Sequence, residues 1–333
     1  MPAQRFIVCV DGTWNRPDPR HGVERTNAAR IAQTVAPVDG DGVRQTVFYI
    51  QGIGTRGPFD EHAKAYTGHG LGAKIQLAYS FLAHNWSEGD EIWLFGVSRG
   101  AFVARAVSQW IDRCGLLGPD QLTGLRRSWK AYRHGESPES PGRRPDVRFI
   151  GAFDMVDALG IPVPGVRRLS RPPVGPAVPY LPENVAEAFH ALSFDERRKA
   201  FRPTIWSVPS GDGRRVEQQW FAGAHGDVCG GFGKRGLSDI PLAWMADRAR
   251  EAGLAFDEER FEAEMQPDLS LEPSSQRAGL HLLLPSVERR PLETSPATES
   301  FHESWVRKVR DPSDPYGSGR AAEFVRREGA LSE

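Results

Sequence analysis

Gly96-Val97-Ser98-Arg99-Gly100 is the central chemical signal in this 333-residue sequence. It sits between the apolar run Glu91-Ile92-Trp93-Leu94-Phe95 and a helical pattern that begins near Ala101. A strand that turns sharply into a helix holds the intervening serine in a strained backbone conformation. Glycines two before and two after it remove the Cβ atoms that would collide across such a turn. The hydroxyl is lifted above the sheet edge, and the amide that follows, that of Arg99, points from the helix N-terminus towards developing negative charge. This is the arrangement a serine nucleophile needs for acyl transfer. The plain alternative is a structural strand-to-helix turn.

A serine nucleophile needs a base, and the base needs a carboxylate to hold its tautomer. On a scaffold of this kind the chain order is serine, acid, histidine, each at the C-terminal end of a strand. Asp154 directly follows the strand-like run Val147-Arg148-Phe149-Ile150-Gly151-Ala152-Phe153, and His225 lies just past the run from Val216 to Phe221. Ser98, Asp154 and His225 therefore have the required order. Asp157, three residues on, is an alternative acid, with Asp154 then merely capping a turn. Among other histidines, His190 falls in a segment, Glu183 to Leu192, that reads as a helix and so is disfavoured. His69 lies between glycines, and His302 near the end. A second oxyanion donor is best sought in Asp11-Gly12-Thr13-Trp14, where Gly12 and Thr13 supply amides that can approach a ligand; the other reading is a turn capped by Asp11.

Two glycine patterns mimic nucleotide sites. Gly52-Ile53-Gly54-Thr55-Arg56-Gly57 follows a strand, but Pro58 and Asp60 interrupt any immediate helix, and no ribose-binding acid occurs at 70–80. Gly68-His69-Gly70-Leu71-Gly72-Ala73-Lys74 lacks the Lys-Ser/Thr ending of a phosphate loop. Cys9, Cys114 and Cys229 have neither metal-ligand spacing nor the even count of a disulfide framework. No cofactor and no metal are expected.

The elements that must position these residues follow an α/β rhythm. Strands at Phe6–Val10, Thr46–Ile50 and Glu91–Phe95 alternate with helical patterns at about Asn27–Val35, Gly70–His84 and Ala101–Cys114, the sequence form of a parallel sheet with crossover helices. An amphipathic helix with Arg126, Arg127, Lys130 and Arg133 is expected at 119–134, and another helix at about Ser238–Ala252. The expected organisation is one domain over 1–310, with irregular covering insertions at about 116–146 and 160–182, then a weakly packed tail at 311–333. Lys plus Arg (42) nearly balance Asp plus Glu (43), which argues against a nucleic-acid binder. The sequence has no signal-peptide pattern and no long apolar run, so the expected location is cytoplasmic in the producing cell. The oligomeric state is not legible.

At these residues the sequence resembles the α/β-hydrolase catalytic domain of the type VI secretion lipase effectors. The resemblance rests on Val10-Asp11-Gly12-Thr13-Trp14-Asn15, Gly52-Ile53-Gly54-Thr55, Gly89-Asp90-Glu91-Ile92 and Phe95-Gly96-Val97-Ser98-Arg99-Gly100-Ala101. It continues through Phe153-Asp154-Met155-Val156, His190 to Arg198, Gln219-Trp220-Phe221, His225-Gly226-Asp227-Val228 and Leu237-Ser238-Asp239-Ile240, with an echo at Phe301-His302-Glu303-Ser304. It implies a mostly parallel α/β-hydrolase-like sheet, with helices on both faces and serine esterase chemistry. Phospholipid hydrolysis is the activity known among relatives. It further implies Ser98 as nucleophile, Asp154 as acid and His225 as base. Delivery through a secretion system and a transient membrane-surface contact belong to the same expectation. The chain departs from the family pattern at Met155, Asp157 and Cys229, where Thr, Gly and Gly are usual. The alternatives are a small-molecule esterase or thioesterase, and a non-catalytic hydrolase-like binding module.

Overall fold

Short, continuous apolar runs cannot leave either face in water, so they form strands covered on both sides. The computed structural model describes residues 4–12, 25–52, 69–138, 141–156, 180–209, 211–231, 234–274 and 286–328. Among the described residues, seven strands form one sheet: β1 (Arg5–Val10), β2 (Gln45–Ile50), β3 (Glu91–Val97), β4 (Val147–Phe153), β5 (Val185–Ser193), β6 (Arg215–Phe221) and β7 (Glu299–Phe301). Their order is β2-β1-β3-β4-β5-β6-β7, and every neighbouring pair is parallel.

The helices are α1 (Asn27–Thr34), α2 (His69–Asn85), α3 (Arg99–Cys114), α4 (Leu125–His134), α5 (His225–Cys229), α6 (Gly236–Glu251), α7 (Glu258–Glu264), α8 (Glu303–Arg310) and α9 (Arg320–Glu328). Alternation along β1 divides the core. Phe6, Val8 and Val10 pack with Leu71, Ile75, Val103, Val107 and Trp110 of α2 and α3. Ile7 and Cys9 pack on the opposite face with Ile31 of α1 and Leu242, Met245 and Ala249 of α6. The fold is thus α/β, an α/β-hydrolase-like parallel sheet with helices on both faces.

Three expectations change. The segment read as a helix at 183–192 is β5, at the heart of the sheet. Val185, Ala188, Phe189 and Leu192 imitate helical spacing because a strand buried on both faces shows no clean alternation. The helix expected over 119–134 is a 3₁₀ segment, Pro119–Gly124, leading into α4. The tail from Asp311 does not pack weakly. Ala321 and Phe324 of α9 are buried in a third cluster with Phe194, Trp220 and Trp305, and Arg320 donates to the Phe194 carbonyl at 2.6 Å. The glycine pattern at 53–57 and most of the insertion at 160–182 lie outside the described residues.

The strand order reverses direction at β1, which is flanked by β2 and β3, and α3 leaves β3 across the C-terminal end of β1. Sheets of this type open a crevice at such a reversal. Gly100 makes the crossing possible: a Cβ there would lie 2.1 Å from the Val10 carbonyl oxygen. Gly96 has the same role inside the turn, where a Cβ would meet the Ala101 amide nitrogen at 2.4 Å. Because the obstacle at Gly100 is backbone, Gly100→Ala is expected to cost about 1–3 kcal/mol or more of stability. Urea unfolding monitored by circular dichroism measures it, and a midpoint unchanged from wild type would contradict this packing.

Candidate active site

Ser98 caps the start of α3 with φ 56° and ψ −120°. Its backbone N–H donates to the Phe153 carbonyl at 2.8 Å, which ties the elbow to the end of β4. The next residue in β4's path, Asp154, also has positive φ, 46°. Such conformations persist in residues other than glycine only where the surroundings over-determine them. Both residues are buried, Asp154 completely.

His225 opens the short helix α5 just after β6. Its Nδ1 lies 2.5 Å from Asp154 Oδ2. Donation from Nδ1 to the carboxylate leaves Nε2 as the basic nitrogen. The Phe201 ring stands edge-on to the imidazole, with centroids 4.8 Å apart, and the His225 backbone N–H donates to Glu196 Oε2 at 3.3 Å. The Cys229 thiol, one helical turn on, lies 3.8 Å from both ring nitrogens, 3.4 Å from the Phe153 carbonyl oxygen, and within reach of the Ser98 backbone. The cysteine thus fills the angle between the Ser98 elbow and the imidazole. Burial pushes its thiol well above the ordinary value, so it stays a neutral thiol.

Of the sequence-selected residues, Asp154 and His225 are in contact, and Ser98 comes to the same corner of the sheet, linked to it through the Phe153 carbonyl and Cys229. Asp157 and Thr13 lie outside the described residues. Gly12 is present, but its N–H donates to Asp11 Oδ1 at 2.7 Å, inside its own turn. Asp11 is buried and also accepts from Tyr49 Oη at 2.5 Å. Burial raises its carboxyl despite these bonds.

Composition and spacing do not reveal three partners of the site. Ser193 gives Asp154 two bonds, from its N–H and from its Oγ, each at 3.0 Å. Glu196 accepts from the His225 amide. Arg289 reaches both oxygens of Asp154, with Nη2 at 2.9 Å from Oδ2 and Nη1 on Oδ1. Burial by itself would raise the Asp154 carboxyl. The Arg289 charge and the His225 hydrogen bond outweigh it and hold the carboxyl well below the usual carboxylate range. Among the described residues, no cluster of His, Cys, Asp and Glu is arranged to hold a metal ion.

His190 is not free to act as a base. Its Nε2 accepts from the Met155 N–H at 3.0 Å, and its Nδ1 donates to Gln218 Oε1 at 3.4 Å. Burial lowers its pKa to about 4. The unfolded chain therefore takes up a proton below about pH 6.5 that the native protein accepts only near pH 4. Stability is expected to fall as pH drops through that window, by about 3 kcal/mol from this residue at most. His302, also lowered to about 4 by burial, acts in the same direction. Urea unfolding at pH 7.0 and 4.5 tests this, and equal stabilities would mean that His190 is charged in the fold.

A parallel sheet with a strained serine on a strand-to-helix elbow is a fold of the α/β-hydrolase type. Residues 4–248 match the family described as T6SS, Phospholipase effector Tle1-like, catalytic domain, and the chain belongs to that family. The uncharacterized protein YEL023C of Saccharomyces cerevisiae is 27% identical over 233 residues, which cover 60% of this chain and 32% of the yeast protein. This chain thus spans about a third of that relative. An uncharacterized protein from Pseudomonas aeruginosa, known from its crystal structure, is similar at 20% identity and a TM-score of 0.49, over 81% of this chain and 49% of the other. The Tle1 effector bound to the VgrG spike of the type 6 secretion system is similar at 16% identity and a TM-score of 0.49, over 79% and 76% of the two chains.

Proposed function

We propose that the protein is a serine hydrolase that cleaves carboxylic esters, chiefly the acyl esters of lipids and phospholipids. Ser98 Oγ attacks the ester carbonyl while His225 Nε2 takes its proton, and the carbonyl oxygen becomes an oxyanion held by the Arg99 amide at the start of α3. Collapse of this intermediate breaks the bond to the alcohol, and His225 returns the proton to the leaving oxygen. Water then attacks the acyl-Ser98 ester by the same route and releases the fatty acid. Asp154 keeps His225 in the tautomer that leaves Nε2 basic. Gly12 would join the oxyanion site only by giving up its bond to Asp11.

The observation that carries this reading is the 2.5 Å contact between His225 Nδ1 and the buried Asp154, at the same end of the sheet as a serine held at positive φ on the elbow after β3. Family membership supports a phospholipid substrate and delivery by a type VI secretion system. Exposed Arg126 and Lys130 on α4 offer cations to anionic headgroups. No helix among the described residues is long and apolar enough to cross a membrane.

A fluorophosphonate probe and a substrate panel test the proposal together. The expected outcome is a single adduct on Ser98 by mass spectrometry, with release of fatty acid from phospholipid vesicles blocked by the probe. Hydrolysis confined to short-chain esters or thioesters would move the substrate to small molecules. Absence of any Ser98 adduct would defeat the nucleophile assignment.

A further inference from the structure

An acid whose task is to orient an imidazole needs few partners, yet among the described residues Asp154 has five donors: His225, the Ser193 amide, the Ser193 hydroxyl and both terminal nitrogens of Arg289. The Arg289 side chain is 3% exposed and the Asp154 side chain fully buried. The same guanidinium donates to the Ser193 carbonyl at 2.8 Å and to the Phe201 carbonyl at 2.6 Å. One planar group thus joins the ends of β4 and β5 to the turn whose aromatic ring packs on His225. Its fork matches the two carboxylate oxygens, which fixes the plane of the carboxylate as well as its position.

Burying such an ion pair is costly, and apolar residues of similar volume often serve stability as well. What they cannot do is hold Oδ2 facing the imidazole. Arg289 also lies beyond the family-matched residues 4–248, in a segment with no place in that match.

We propose that Arg289 is a positioning residue of the site, which locks the Asp154 carboxylate in the plane that orients His225. The proposal rests on the assignment of Asp154 and His225 as acid and base. It implies that the segment around 286–296 completes the catalytic unit, although it lies outside the recognisable domain.

The test compares Arg289→Met, Arg289→Lys, Asp154→Asn and the Arg289→Met/Asp154→Asn double variant in the full chain. Turnover of a soluble short-chain ester would be measured, together with the downfield proton resonance of His225 Nδ1–H. A small displacement of a catalytic group can cost about 10²-fold. Arg289→Met should therefore lose about that factor in kcat with KM little changed, and its downfield resonance should move or vanish. Arg289→Lys, which keeps the charge, should recover part of both. The double variant should be no slower than Asp154→Asn, because Arg289 acts only through Asp154.

A folded Arg289→Met protein with wild-type kcat and an unchanged resonance would overturn the proposal. So would a double variant much slower than Asp154→Asn. Should Arg289→Met not fold, the lysine variant decides by the same two readouts. Full activity in Asp154→Asn would instead show that the acid itself is misassigned.

Discussion

Ser98→Ala is expected to abolish ester hydrolysis, with kcat falling about 10⁴- to 10⁶-fold while the fold survives. The substitution removes one hydroxyl. The strained φ of 56° and the backbone bond from Ser98 to Phe153 do not depend on it. Alanine bears the same backbone strain as serine, so the melting temperature should stay within a few degrees of wild type. A chromogenic ester at saturating concentration gives kcat, and the fluorophosphonate adduct should disappear in parallel. Hydrolysis within tenfold of wild type would remove Ser98 from the mechanism. Combining the change with His225→Ala should cost nothing further, since the two groups act as one unit.

Asp154→Asn carries the second largest expected effect, a loss of about 10⁴-fold in kcat. An amide can donate to Nδ1 as well as accept, so the imidazole can settle in the tautomer that puts its proton on Nε2, where it cannot take one from Ser98. Here the change also has a structural cost. Arg289 is buried against Asp154, and neutralising the carboxylate strands its charge, which typically costs about 3–5 kcal/mol. Asp154→Asn should therefore be both slow and markedly less stable, unlike Ser98→Ala. Thermal unfolding and kcat measured on the same samples separate the two effects. An Asp154→Asn variant as active as wild type would pass the role of acid to another carboxylate, with Asp157 first in line.

The elbow is legible in the sequence because its requirements are local. Two glycines and a serine between a strand and a helix are read directly from the chain, and Gly96 and Gly100 meet backbone where a Cβ would stand. Asp154 and His225 are legible because each closely follows a recognisable strand. β5 is not: Ala188, Phe189 and Leu192 are buried in a strand covered on both faces, and a row of apolar residues there looks the same as one face of a helix. His190, disfavoured as a base for lying in a helix, is excluded for another reason, since both its ring nitrogens are bonded, one to the Met155 amide just past β4 and one to Gln218 of β6. Arg289 is illegible because it lies 135 residues from its partner and because nothing in a sequence marks which arginine is buried. The polar composition of the tail hides Ala321 and Phe324, the residues that seat it.

Two of the three non-glycine residues with positive φ among the described residues are Ser98 and Asp154. A chain selected for stability alone would shed both. Glycine at position 98 suits the observed backbone and should make the protein more stable by several tenths of a kcal/mol to about 1 kcal/mol, at the expense of the hydroxyl. Random libraries sorted by heat resistance should therefore enrich Ser98→Gly among their survivors. Persistence of serine at this strained position in a functional lineage would then record selection for activity against a standing thermodynamic gradient.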